Sequence, residues 1–108
     1  MEFKASLEEA QAAPPSPGRT SALLMQHGSM SLRFYAPQGH DGQKPHDQDE
    51  LYVVASGSGA FVMNGQRVSF VTGDTLFAPA GSVHRFEDFT DDFATWVIFY
   101  GPDGGEVP

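Results

Sequence analysis

Cysteine is absent from this 108-residue chain, so neither a disulfide nor a thiolate metal site can form. Any metal would have to be held by imidazole and carboxylate, and the redox compartment stays open. Basic residues are few: six Lys and Arg stand against fourteen Asp and Glu, a formal net charge of −8. Such a surface repels phosphate backbones and anionic headgroups, which argues against nucleic acid or membrane as partners. No apolar run approaches membrane-spanning length. The opening Met1-Glu2-Phe3-Lys4-Ala5-Ser6-Leu7-Glu8-Glu9 also lacks the basic flank and apolar stretch of a signal peptide, so a cytoplasmic location is expected.

What is present divides into a tail and one small domain, since a chain of this length has no room for a second core. Residues 1–19 form the tail. Ser6-Leu7-Glu8-Glu9 has the form of a capping box and predicts a short helix, with an extended or disordered segment as the alternative. Pro14-Pro15-Ser16-Pro17-Gly18 ends any helix and reads as an extended linker. Residues 20–108 form the domain.

Within the domain short strands follow one another, with turn residues between and no helical period. They are expected at 22–26, 30–36, 51–55, 60–63, 66–71, 75–77, 83–86 and 93–100, which predicts an all-β antiparallel sandwich or barrel. Asn64-Gly65 is the strongest local signal, a type I′ hairpin pair in which both residues tolerate positive φ. Pairing Met63 with Gln66 puts Phe61, Met63, Val68 and Phe70 on one face and Val62 opposite Arg67 on the other. The segment Phe93–Tyr100 does not alternate, so both its faces need cover. In so small a chain a second subunit is the expected cover, hence a homodimer.

Two histidines and one carboxylate carry the chemistry. His46 and Glu50 precede Gly57, and His84 follows Pro79-Ala80-Gly81, so each lies at a strand edge set by Gly and Pro turns. That donor set suits a mononuclear metal ion with open coordination positions. In a straight strand residues four apart lie roughly 13 Å apart at ~3.3 Å per residue, too far for His46 and Glu50 to share an ion bound at ~2 Å. A bend at Asp47-Gln48-Asp49 is therefore predicted. Glu50, Tyr52 and Val54 then share one strand face, and His84 and Phe86 share another. His27 and His40 read as surface residues, His40 being a weak reserve ligand. The acidic run Glu87–Asp92 reads as a solvated turn rather than a Ca²⁺ loop.

The segment from Gly73 to His84 spaces as G-x5-P-x-G-x2-H, and His46-x3-Glu50-x6-Gly57 precedes it. Together they resemble the two motifs of the cupin family over roughly residues 20–100. Asp88 falls where the second motif ends in Asn, and Lys44 falls where the first motif has its first His. The resemblance implies an antiparallel jelly-roll barrel, the double-stranded β-helix. It also implies one divalent transition metal ion (Fe, Mn, Ni, Co, Cu or Zn) on His46, Glu50 and His84. Lys44, Tyr52 and Phe86 are then the expected substrate-binding residues.

Lys44 leaves three readings open: an ion pair with Glu50 in a vacant site, an anchor for an anionic ligand beside a three-residue metal, or a solvated side chain. The second ranks first. The function expected is binding or conversion of a small oxygenated or anionic metabolite. Oxygenase, isomerase and lyase chemistry are all open, as is a non-enzymatic sensing barrel. No covalent nucleophile or phosphate loop is visible near Ser56-Gly57-Ser58-Gly59.

Overall fold

Turn chemistry sets the strand order of this protein. The computed structural model describes residues 3–108. Among these are one helix, α1 (Leu7–Ala12), and strands β1 (Ala22–His27), β2 (Met30–Tyr35), β3 (Asp49–Ser56), β4 (Gly59–Met63), β5 (Gln66–Phe70), β6 (Thr75–Ala78), β7 (His84–Glu87) and β8 (Ala94–Tyr100). Asn64 and Gly65 both adopt positive φ, 50° and 83°, and close the β4–β5 hairpin with Met63 opposite Gln66 and Val62 opposite Arg67. Every strand pair is antiparallel. The strands form a five-stranded sheet ordered β1-β2-β8-β3-β6 and a three-stranded sheet ordered β5-β4-β7.

Alternation fills the space between the sheets. Tyr52 and Val54 of β3 and Val97 and Phe99 of β8 are buried in one core cluster with Phe61, Phe70, Phe86 and Phe93. The aromatic rings meet edge-on or tilted, as for Tyr52 and Phe86 at 4.9 Å or Phe86 and Phe93 at 4.7 Å, geometry that satisfies the ring quadrupoles. One expected core residue is not in it. Val68 stands opposite Phe61 as the hairpin register requires, yet is 50% exposed. β5 is the edge strand of the smaller sheet, and only Phe70 at its far end reaches the core.

The tail docks as a helix. Ser6 caps it by accepting the Glu9 N–H at 3.1 Å and donating to the Glu9 carboxylate, and extended Ala13 ends it before Pro14. Ala10 is buried against Phe34 and Ala94, with Leu24, Ala55 and Trp96 around them. The chain thus covers part of the outer face of β8 with its own N-terminal segment, where a second subunit alone was expected.

Asp49 was expected in a turn, but it is the first residue of β3 and is buried. Its carboxylate accepts the Ala80 N–H at 2.8 Å and the Glu106 N–H at 2.9 Å. One side chain therefore ties the start of β3 to the Pro79-Ala80-Gly81 turn and to the C-terminal segment. The Glu106 and Ala80 N–H groups stabilise the ionised form and hold its pKa below the usual carboxylate range.

Two predictions follow from these backbone contacts. Gly57 has φ +84, and a Cβ there would lie 2.6 Å from both Phe93 Cα and Thr90 Oγ1; Gly81 has φ +77 but open space around it. Gly81→Ala should cost about 1 kcal/mol of left-handed strain, whereas Gly57→Ala should cost at least twice that because backbone must move. Urea melts of both variants check this, and equal midpoints would contradict it. For Asp49, a depressed folded pKa stabilises the fold above the unfolded value of about 3.9 and loses that contribution as pH falls through the folded value. Asp49→Asn should therefore be less stable than wild type at pH 6, and the gap should shrink below about pH 4. A gap that is constant from pH 6 to pH 3 in metal-free protein would refute the role given to the carboxylate.

Candidate metal centre

The chain bends at Asp47 and Gln48, so His46 ends an irregular segment and Glu50 lies on the new strand β3. The bend is pinned from several sides. Gly81 N–H donates to the His46 carbonyl at 2.8 Å, Gly104 N–H donates to the Asp47 carbonyl at 2.7 Å, and Gln48 Nε2 donates to the Gly101 carbonyl at 2.9 Å. The first of these bonds links the segment carrying His46 to the turn that precedes His84. His46 also packs edge-on against Phe99, with ring centroids 5.0 Å apart.

His84 opens β7, opposite Met63 of β4. Its approach is held by Asn64 of the hairpin turn, which donates its N–H to the Val83 carbonyl at 2.8 Å and accepts the Val83 N–H on Oδ1 at 3.1 Å. His84 Nδ1 lies 3.0 Å from the Ser82 carbonyl, an acceptor, so Nδ1 carries a proton and Nε2, facing inward, is the nitrogen whose lone pair is left for an ion when the ring is neutral. That is the tautomer a metal ligand requires.

Glu50 faces these rings from β3 with 1% of its surface exposed. Its Oε1 lies 2.6 Å from His84 Nε2 and 3.9 Å from His46 Nε2. The nearer contact has the distance of an ion pair without the angle of a hydrogen bond. Glu50 Oε1, Glu50 Oε2 and His84 Nε2 are all buried without a hydrogen-bond partner. Such orphaned groups are expensive away from water unless something else satisfies them. Donor atoms side by side on one ion at ~2.1 Å lie about 3 Å apart, a value that 2.6 and 3.9 Å bracket. Among the described residues His46, Glu50 and His84 form the one cluster of three such ligands, with donor atoms within 4.8 Å of one another. The residues fit a divalent ion.

Electrostatics divides the two histidines. Burial pulls His46 below its ordinary pKa, and the opposing pull of Glu50 only partly offsets it. For His84, burial also acts downward, but the adjoining Glu50 carboxylate and the Ser82 carbonyl together outweigh it and leave the imidazole raised. The pull toward protonation therefore falls on His84 rather than on His46.

Lys44 does not neutralise Glu50. It is exposed, and among the described residues it forms no ion pair. Projection to the same face as His46 required strand alternation, but residues 41–46 are not in a strand and Pro45 interrupts the segment. The neighbour Gln43 turns inward instead. It accepts the Tyr52 hydroxyl on Oε1 at 3.1 Å and donates Nε2 to Asp41 at 3.0 Å. Asp41 went unnoticed in the sequence. It is buried and accepts the Tyr35 hydroxyl at 2.5 Å and the Phe86 N–H at 2.7 Å, bracing the loop to β7.

Tyr52 and Phe86 lie beneath the ligands. Tyr52 is fully buried, its pKa pushed well up by burial and by the Glu50 charge, so the phenol stays neutral. Phe86 sits inside the aromatic core beside Tyr52, Phe61, Phe70 and Phe93, in packed interior rather than on an open wall. His27 and His40 are exposed and stand outside the cluster. The acidic run is a surface turn in which Glu87 and Asp88 pair with Arg67; Asp88 adopts φ 50°, a conformation Asn or Asp tolerates.

No described helix is long and apolar enough to cross a membrane. The chain is 30% identical over 99 residues to an uncharacterized protein of Streptomyces coelicolor, a match covering 90% of this chain and 94% of that one. It is 35% identical over 74 residues to the HTH-type transcriptional activator RhaS of Yersinia pestis, covering 68% of this chain but only 27% of that protein. The crystal structure of a cupin 2 conserved barrel domain protein from Salinispora arenicola superposes with a TM-score of 0.68 at 21% identity, over 94% of this chain and 89% of the other. The cupin domain family model matches residues 31–100, from β2 to the end of β8, and the chain belongs to the cupin family.

Proposed function

We propose that this cupin holds one divalent transition metal ion on His46, Glu50 and His84 and uses the site to bind or convert a small oxygenated or anionic metabolite. The observation that carries the reading is the convergence of three ligand residues on one point, with the Glu50 carboxylate and His84 Nε2 buried and unpartnered and the half-buried His46 beside them. When bound, such an ion acts as a Lewis acid toward a ligand oxygen. The protein's own part is to orient the His84 imidazole through the Ser82 carbonyl, to hold His46 by its backbone bond to Gly81 and its packing on Phe99, and to keep the floor dry with Tyr52 and the phenylalanines. Three protein ligands leave open positions for a ligand.

A second reading, a sensing barrel without turnover, draws on the local likeness to a transcriptional activator and on the loss of the usual first histidine. Elemental analysis of untagged wild type and His84→Ala tests the metal reading. Wild type should carry about one equivalent and the variant close to none, with the β-rich circular dichroism unchanged. Equal metal content in the two proteins would end it. Incubating the loaded protein with hydroxy acids and following them by NMR then separates conversion from sensing, because a sensor binds without producing a new species.

The outer face of the larger sheet supports a homodimer. Met25, Leu32, Ile98, Leu51 and Phe77 are cross-strand neighbours in one row spanning all its strands, beyond the part that α1 covers. Each is at least partly exposed, Phe77 at 45%. An unbroken apolar row of this kind on two copies can meet about a twofold axis. Light scattering at micromolar concentration should give twice the 11.7 kDa of one chain. Ile98→Lys should return it to monomer, and a monomeric wild type would refute the dimer.

A further inference from the structure

The cations of this protein are unevenly placed. Of its six basic residues, Arg67 and Arg85 are engaged by Glu87 and Asp88 on the surface. Arg33 and Arg19, by contrast, line one cavity of about 300 Å³ whose wall also includes His46 and Phe99. Arg33 lies on the inner face of the larger sheet, opposite Val97 of the core, and is 9% exposed. Its Nη1 donates to the Ser21 carbonyl at 3.1 Å and to the hydroxyls of Ser16 and Ser21 at 3.3 Å. All three acceptors are neutral. Among the described residues no carboxylate pairs with this guanidinium; Asp47 and Asp103 line the same cavity, yet neither forms an ion pair with Arg33 or Arg19.

A guanidinium drawn largely out of bulk water and held only by neutral acceptors leaves its charge uncompensated toward the cavity it lines, and a second arginine beside it adds to that. Arg19 does sit close enough to depress the Arg33 pKa further, after burial itself. The linker Pro14–Gly18 brings Arg19 there, and among the described residues the Arg19 side chain meets no acceptor. Arg33 and the exposed Arg19, close enough to couple, face a cavity that reaches a candidate metal ligand and offer a place for a negative group.

Resting on the metal reading above, we infer that the ligand is a small carboxylate. Its carboxylate is gripped by Arg33 and Arg19, and a second oxygen function, a carboxylate or hydroxyl, is presented at the His46 end of the cavity. Guanidinium matches carboxylate in a planar fork, which makes arginine rather than lysine the fitting residue. About 300 Å³ is at the small end for a ligand site, so the class is a dicarboxylic or hydroxy acid of few carbons.

Calorimetric titration of the metal-loaded protein with malonate at fixed ionic strength tests this, with malonamide as the neutral isostere. Malonate should bind and malonamide should not. Arg33→Gln should weaken malonate about tenfold, and Arg19→Gln several-fold, with metal content unchanged in both. Because Arg33 also anchors Ser16 and Ser21, Arg19→Gln is the control that cannot be explained by a loosened linker. Equal binding of malonate and malonamide, or malonate affinity unaltered by both substitutions, would overturn the inference while leaving the metal reading intact. Tighter binding of inorganic phosphate than of malonate would overturn the carboxylate assignment. Arginine-dependent malonate binding to wild type that carries no metal would uphold the anion site and defeat the metal reading instead.

Discussion

Glu50 places a carboxylate where water does not reach and where no hydrogen-bond donor meets it with good geometry. Asp41 and Asp49 are also buried, but neutral donors satisfy them; an acid kept inside without such donors needs a positive counterpart. A protonated His84, 2.6 Å away, or an ion shared with both histidines would supply it. The rest of the barrel can be understood as the frame that makes this burial tolerable. Asp49, the residue before it, is tied to Ala80 and Glu106, and Gly81 is tied to His46, so the three elements that bring ligands together are stitched to one another by backbone donors.

Beneath the ligands the frame is rigid for a different reason. Tyr52, Phe61, Phe70, Phe86 and Phe93 interlock through tilted and edge-on contacts, and their volume leaves no room for the ligand strands to slide. Polar bracing complements the packing at one side, where Asp41 joins Tyr35, Gln43 and the backbone of Phe86. Packing fixes the strands, hydrogen bonds fix the loop, and the site lies where the two meet.

The N-terminal segment serves both surfaces of the larger sheet. Its helix covers the outer face through Ala10 against Phe34 and Ala94, while the linker that follows brings Ser16, Arg19 and Ser21 to the inner cavity. A change in the docking of α1 would therefore be felt at Arg33, whose neutral hydrogen-bond partners belong to that linker and its junction with β1.

Local rules made much of this legible in advance. Strand positions followed from alternation and turn residues, the β4–β5 register from Asn64-Gly65, the helix from its capping box, and the bend between His46 and Glu50 from the reach of a straight strand. Each depends on residues close together in the chain. What stayed hidden depends on neighbours far apart: Asp41 meeting Phe86, Asp49 meeting Ala80 and Glu106, and Arg19 meeting Arg33 across the cavity. Val68 and Lys44 mark the boundary. Alternation assigned both a face, but exposure of an edge strand decided the first and an irregular, proline-broken loop decided the second. Periodicity specifies which way a side chain points only while the backbone is regular, and only the assembled sheets determine whether anything lies on that side.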